Sequence, residues 1–122
     1  MNDQVEVMKK IMELTDTMEE GLAHVRNLLS ERDPEKALPV LTDSAHAFAN
    51  VEAALQPILH ELPDNNIQER SDMFRRALKT MVSEYENNEG LRAQELLQFF
   101  LEPAFRNWKV ELDNTLKPYS LC

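Results

Sequence analysis

A carboxylate and a histidine three or four positions apart on a helix share a face and can hold a metal ion between them. This chain has such pairs at Asp43 with His46 and at Glu20 with His24. A ferritin-like centre needs a Glu-x-x-His pair on each of two helices plus two further glutamates, all turned inward. Asp43-Ser-Ala-His46 is the nearest match. In the apolar rhythm of its segment, however, Ala45 takes the inward position, which sets His46 one step toward the flank. His24 lies off the seam marked by Leu22, and His60 stands beside seam residue Leu59. Histidines on outer faces do not assemble a site, so neither a metal nor a cofactor is expected.

Nucleophile chemistry has no better footing. The one cysteine, Cys122, is the last residue, with no histidine near it in sequence. It has no internal disulfide partner, and it is not a prenylation box, whose cysteine stands fourth from the end. No serine sits in a glycine-flanked elbow and no glycine-rich phosphate loop is present, so the expectation is a protein that is not an enzyme.

Three kinds of polar residue remain to be placed. Glu52 falls on an apolar seam between Phe48 and Leu55, where an unpaired carboxylate would be costly to bury. Either Val51 takes the core position and Glu52 pairs at the edge, or Glu52 is a buried acid opposite an arginine. Thr15, Ser71 and Thr115 also occupy seam positions, and their hydroxyls can bond the carbonyl one turn back. Arg70, Arg75, Arg76 and Lys79 form a basic cluster, which either pairs internally with acidic helix faces or docks an acidic partner.

The densest apolar stretch is 96–108. On a helix at about 100° per residue, Leu96, Leu97, Phe99, Phe100, Leu101, Ala104, Phe105 and Trp108 cover roughly two-thirds of the circumference. An ordinary surface helix carries an apolar stripe a little over ~100° wide. The excess predicts a contact face for a partner, carried by Leu96, Phe99, Phe100, Phe105 and Trp108.

The elements that must position these residues are helices. Glycine occurs only at 21 and 90, β-branched runs are few, and helix formers dominate. In the first segment, expected over 3–30, Met8, Ile11, Thr15, Met18, Leu22, Val25 and Leu29 follow alternating three- and four-residue steps. Gly21 inside this pattern is read as a close approach of a neighbouring helix. Asp33-Pro34-Glu35 is a helix start, but Pro39 removes a backbone donor, which predicts a short turn and then a long helix over 39–62 bent at Pro57. A third helix is expected over 66–87, opened by an Asn66–Glu69 capping box and closed before Gly90. A fourth is expected over 91–116, bent near Pro103 and ended by Lys117-Pro118, with a short tail over 117–122. Four such segments with short connections predict one domain, an all-α antiparallel up-down-up-down four-helix bundle with proline bends in helices 2 and 4.

At 122 residues the chain is long enough to bury a core without a disulfide or metal. Its formal charge of −9 argues against nucleic acid and anionic membrane surfaces. No apolar run approaches the ~20 residues of a membrane span. No basic-then-apolar leader is seen, so the expected location is the cytoplasm. The leading functional expectation is a small interaction protein that binds itself or an amphipathic segment of another protein through the fourth helix. Five of the six methionines lie in helices 1 and 3, where such adaptable side chains suit a groove facing that helix. In size, acidity and helical character the chain is similar in kind to small bacterial cytoplasmic chaperones, including flagellar secretion chaperones, an analogy of fold class alone. The alternative is a small-molecule sensor or carrier with Phe99, Phe100, Phe105 and Trp108 lining a pocket between helices.

Overall fold

The seam of the first helix decides the architecture, because every one of its expected core positions is filled as the spacing requires. The computed structural model describes residues 2–120, and all the regular elements among them are helical. In α1 (Asn2–Ser30), Met8, Ile11, Thr15, Met18, Leu22, Val25 and Leu29 are all buried. Thr15 hydrogen-bonds back to the Met12 carbonyl at 3.0 Å, which satisfies its hydroxyl inside the core.

α2 (Pro34–Leu55) starts earlier and ends earlier than its prolines suggest. The Asp33 carboxylate accepts from the Lys36 N–H at 3.2 Å, and Pro34 takes the first turn, where its missing donor is harmless. The helix then runs through Pro39 without a preceding turn. Pro39 and Glu35 are both exposed, so the carbonyl that Pro39 cannot serve is left to water. Pro57 does not bend α2, because α2 has already ended. Its nitrogen has no hydrogen for the Ala53 carbonyl, and beyond the Gln56-to-Glu52 bond the chain reverts to three-residue spacing, from Ile58 to Leu55 and from Glu61 to Ile58. Leu59–Glu61 is a 3-10 turn, and Leu59 and Leu62 are only half-buried.

α3 (Ile67–Asn88) lacks the expected capping box. The Asn66 side chain makes no cap bond. Asn65 Oδ1 accepts from the Ile67 N–H at 2.9 Å instead, while the Asn66 N–H donates to Glu111 at 2.8 Å. At the far end Glu89 and Gly90 both have positive φ, 57° and 79°. A Cβ on Gly90 would come within 2.8 Å of the Tyr85 ring and 3.1 Å of Pro34, so this turn requires glycine.

The fourth rod is a composite of α4 (Ala93–Leu96), a π-helical turn (Leu97–Leu101) and α5 (Glu102–Ser120). Within it the Glu102 N–H bonds the Leu97 carbonyl, five residues back. The next residue, Pro103, has no N–H, and the ladder resets to α there. Lys117-Pro118 does not close α5, which continues through the exposed Pro118 to Ser120.

Polar contacts tie the fourth rod to α1 and to α3. Arg26 of α1 meets Glu102 and Asp16 meets Lys109. Ser71 of α3 meets Trp108, and Glu84 meets the backbone of Arg92. α1 packs closely on α2 and α5, and α3 packs on α5 and the π turn. The buried apolar side chains of all four rods form one cluster. Among the described residues no helix is long and apolar enough to cross a membrane.

Candidate functional site

The apolar arc of the fourth rod is divided by the π turn. Leu96, Leu97, Leu101, Ala104, Phe105 and Trp108 face inward, and Trp108 is completely buried. Its ring stacks on Phe74 with centroids 5.3 Å apart and meets Phe48 edge-on at 5.0 Å. Phe105 closes the group at 5.4 Å from Phe74. The indole N–H donates to Ser71 Oγ at 2.8 Å, so the polar atom of the largest core side chain is satisfied by the seam serine of α3. Three residues of the expected contact face, Leu96, Phe105 and Trp108, are therefore core residues of this chain. Leu96 and Phe105 are 7% and 5% exposed.

Phe99 and Phe100 point the other way, 62% and 57% exposed. A π turn takes one residue more than an α turn, and that residue shifts the phase of the arc. The shift turns Phe100 out of the seam between Leu96 and Ala104. The four aromatics do not share a face, so the pocket expected between helices from Phe99, Phe100, Phe105 and Trp108 is not formed by them. Two are ring-packed inside and two are outside.

Phe100 instead overhangs an open groove of about 470 Å³ between α3 and the fourth rod. Leu96, Ala77 and Ala104 form its floor, and Met73, 49% exposed, stands on the opposite wall. Its charged lining residues are Arg76 and Arg92, with no carboxylate among them. Arg92 pairs with Glu95 at 3.1 Å, an exposed contact between neighbours on one helical turn. Arg76 has no ion pair among the described residues; Asp72, one turn earlier, is taken by Arg75 at 2.6 Å.

The basic cluster of α3 thus separates into members of different kinds. Arg75 bridges Asp72 and Glu52 and lies over the Phe48 ring, 5.5 Å from its centroid. Glu52 is half-buried at the edge while Val51 takes the core position. Arg70 lies 4.0 Å from Glu111. Arg76 and Lys79 are exposed and unpaired among the described residues, and they face different grooves. Lys79 lines a second opening of about 370 Å³ between α2 and α3, with Phe48 and Leu78 at its base and Glu52 and Glu86 on its rim.

Other charges serve the framework. Arg26 grips both oxygens of Glu102, at 3.0 and 2.6 Å, and that contact raises its already high pKa. Burial would lower the Lys109 ammonium, but its bonds to Asp16 at 2.8 Å and Asp113 at 2.9 Å outweigh this and hold its pKa above the usual lysine value. Burial of Tyr85 raises its phenol. Among the described residues no cluster of three or more His, Cys, Asp or Glu could hold a metal; His24, His46 and His60 are all exposed. Cys122 lies outside the described residues.

Several participants were not singled out from the sequence. Arg92, Ala77 and Thr80 line the groove only because α3 and the fourth rod lie side by side. Glu84 sits in an acidic, asparagine-rich run yet is buried, accepting the Arg92 N–H at 2.6 Å and the Asn88 amide at 3.1 Å. Its spacing of three from Met81 was the available signal. No curated protein and no solved structure matches this chain. Residues 6–111 match the family described as a domain of unknown function (DUF8042), and the chain belongs to that family.

Proposed function

We propose that this protein is a helical-bundle interaction module that docks a partner protein, or a second copy of itself, on the exposed apolar surface of its fourth rod. The observation that carries this reading is Phe100, exposed over a groove that it lines together with exposed Met73, with exposed Phe99 next to it in the chain. Large aromatics a little more than half exposed forgo roughly 1–2 kcal/mol each of available burial energy, and exposed apolar surface of this kind marks contact sites. The π turn, which takes Phe100 out of the inward seam, supports this reading as well, since such turns occur frequently at functional sites.

We further infer that the four rods form an up-down-up-down bundle, with the fourth deflected at the π turn before Pro103. The opposite order of the Arg26–Glu102 and Asp16–Lys109 contacts supports this topology. The protein works on this reading by presenting a surface rather than by catalysis, in line with its acidic charge and with the location expected from the sequence.

The test is light scattering over a wide concentration range, on the unaltered chain and on Phe99→Asp/Phe100→Asp. A concentration-dependent dimer abolished by the double substitution supports self-association. A monomer at all concentrations excludes self-association, and the reading then stands only if a partner protein is captured by the unaltered chain and not by the double variant. If the double variant leaves both self-association and partner capture unchanged, this surface is not the docking site.

A further inference from the structure

We infer that the groove between α3 and the fourth rod takes an amphipathic helix whose flanks are acidic, and not the same groove of a second copy. This inference rests on the docking reading above and specifies its occupant. Three observations on the groove converge. Its floor is apolar, made of Leu96, Ala77 and Ala104, and its lining residues Met73, Arg76, Ala77 and Thr80 run along α3, so a helix laid into it would seat apolar residues three and four apart. Its walls are Met73 and Phe100, both about half exposed and able to close over side chains of different shape.

The third observation is charge. The whole chain carries 22 acidic against 13 basic residues, yet the groove lining contains Arg76 and Arg92 and no acid. Arg76 is unpaired among the described residues, and Arg92 holds only an exposed neighbour, Glu95, which an incoming carboxylate can replace at little loss. Two guanidiniums flanking an apolar trough complement glutamate or aspartate on both shoulders of a bound helix. A symmetric dimer built groove to groove would bring Arg76 and Arg92 of one copy against the same residues of the other, which opposes that occupant.

The experiment uses the full chain and labelled designed peptides of about 18 residues with one apolar stripe, Leu at three-four spacing, flanked either by Glu or by Lys. Fluorescence anisotropy at low salt is expected to show the Glu-flanked peptide binding at least tenfold tighter, the gap narrowing as salt screens it. Arg76→Glu/Arg92→Glu should reverse the order, and Met73→Asp/Phe100→Asp should abolish both. Circular dichroism of each variant confirms folding, and because all four positions are at the surface or groove rim, folding is expected to persist. Equal binding of both peptides, lost in the Met73/Phe100 variant, overturns the acidic occupant while the apolar docking reading stands. Binding of neither peptide overturns the helix-in-groove inference, and the light-scattering test then judges the docking reading by itself. A groove-to-groove dimer whose formation is unaffected by the charge reversal overturns the inference as well.

Discussion

Tyr85 shows what a single polar atom does in this core. Its hydroxyl is buried without a hydrogen-bond partner among the described residues, and burial pushes its pKa up. Tyr85→Phe removes a desolvated group that gains nothing in return, and is expected to be neutral or stabilising by up to about 1 kcal/mol in urea unfolding at pH 7. Because the folded-state pKa of this phenol lies above its unfolded value, the native protein loses stability as pH rises through and past the ordinary tyrosine range. The Tyr85→Phe variant should therefore show a shallower alkaline decline than the unaltered chain. Ser71 presents the opposite case, since its Oγ satisfies the Trp108 N–H at 2.8 Å. Ser71→Ala leaves that donor buried and unmatched, and should cost about 1–3 kcal/mol by the same assay. A variant with full stability would mean that the hydrogen bond contributes nothing.

At the scale of the elements, Gly21 and Gly90 give contrasting expectations. Gly21 is within α1, and a Cβ there would meet Ser44 Oγ at 3.6 Å and Val40 Cγ1 at 3.8 Å, ordinary contact distances. α2 does come near it, as the glycine led us to expect, but not so near that alanine is excluded. Gly21→Ala is expected to raise stability by roughly 0.5–1 kcal/mol through helix propensity. Gly90→Ala should lower it, because the positive φ of 79° and the Tyr85 ring both resist a side chain. A thermal melt of the pair settles the sign of each. α1 was legible in full from three-four spacing, since no proline interrupts it. The ends of α2 and of the fourth rod were not. Whether a proline opens, traverses or terminates a helix depends on where the freed carbonyl points, and the exposure of Glu35 is a tertiary fact.

Over the whole molecule, the fourth rod separates residues packed into the core from residues left at the surface. Phe100→Asp is expected to change stability by less than about 1 kcal/mol, as for other surface substitutions. Phe105→Asp, a few residues on, would bury a carboxylate against Phe74 and Trp108 and should unfold the chain or cost more than about 4 kcal/mol. Urea melts of the two variants read this directly, and equal losses would contradict the division of the arc. Lys109 ties α1 to α5 through Asp16. Its raised pKa means that the tie holds below the ordinary lysine range and is lost above it, adding to the alkaline decline ascribed to Tyr85.

Residue types and their spacing by themselves determined that the chain is helical, which face of each segment is apolar, and that 96–108 carries more apolar arc than one stripe needs. Those properties follow from a fixed helical period and from the cost of leaving apolar surface in water. How that excess is divided was decided only by the tertiary structure. One added residue in the π turn takes Phe100 out of the inward seam while Phe105 and Trp108 lock onto Phe48 and Phe74, and packing on neighbouring rods selects that phase. The joining of Arg76 from one helix with Arg92 and Phe100 from another has the same origin, because residues far apart in sequence meet only where the rods lie side by side.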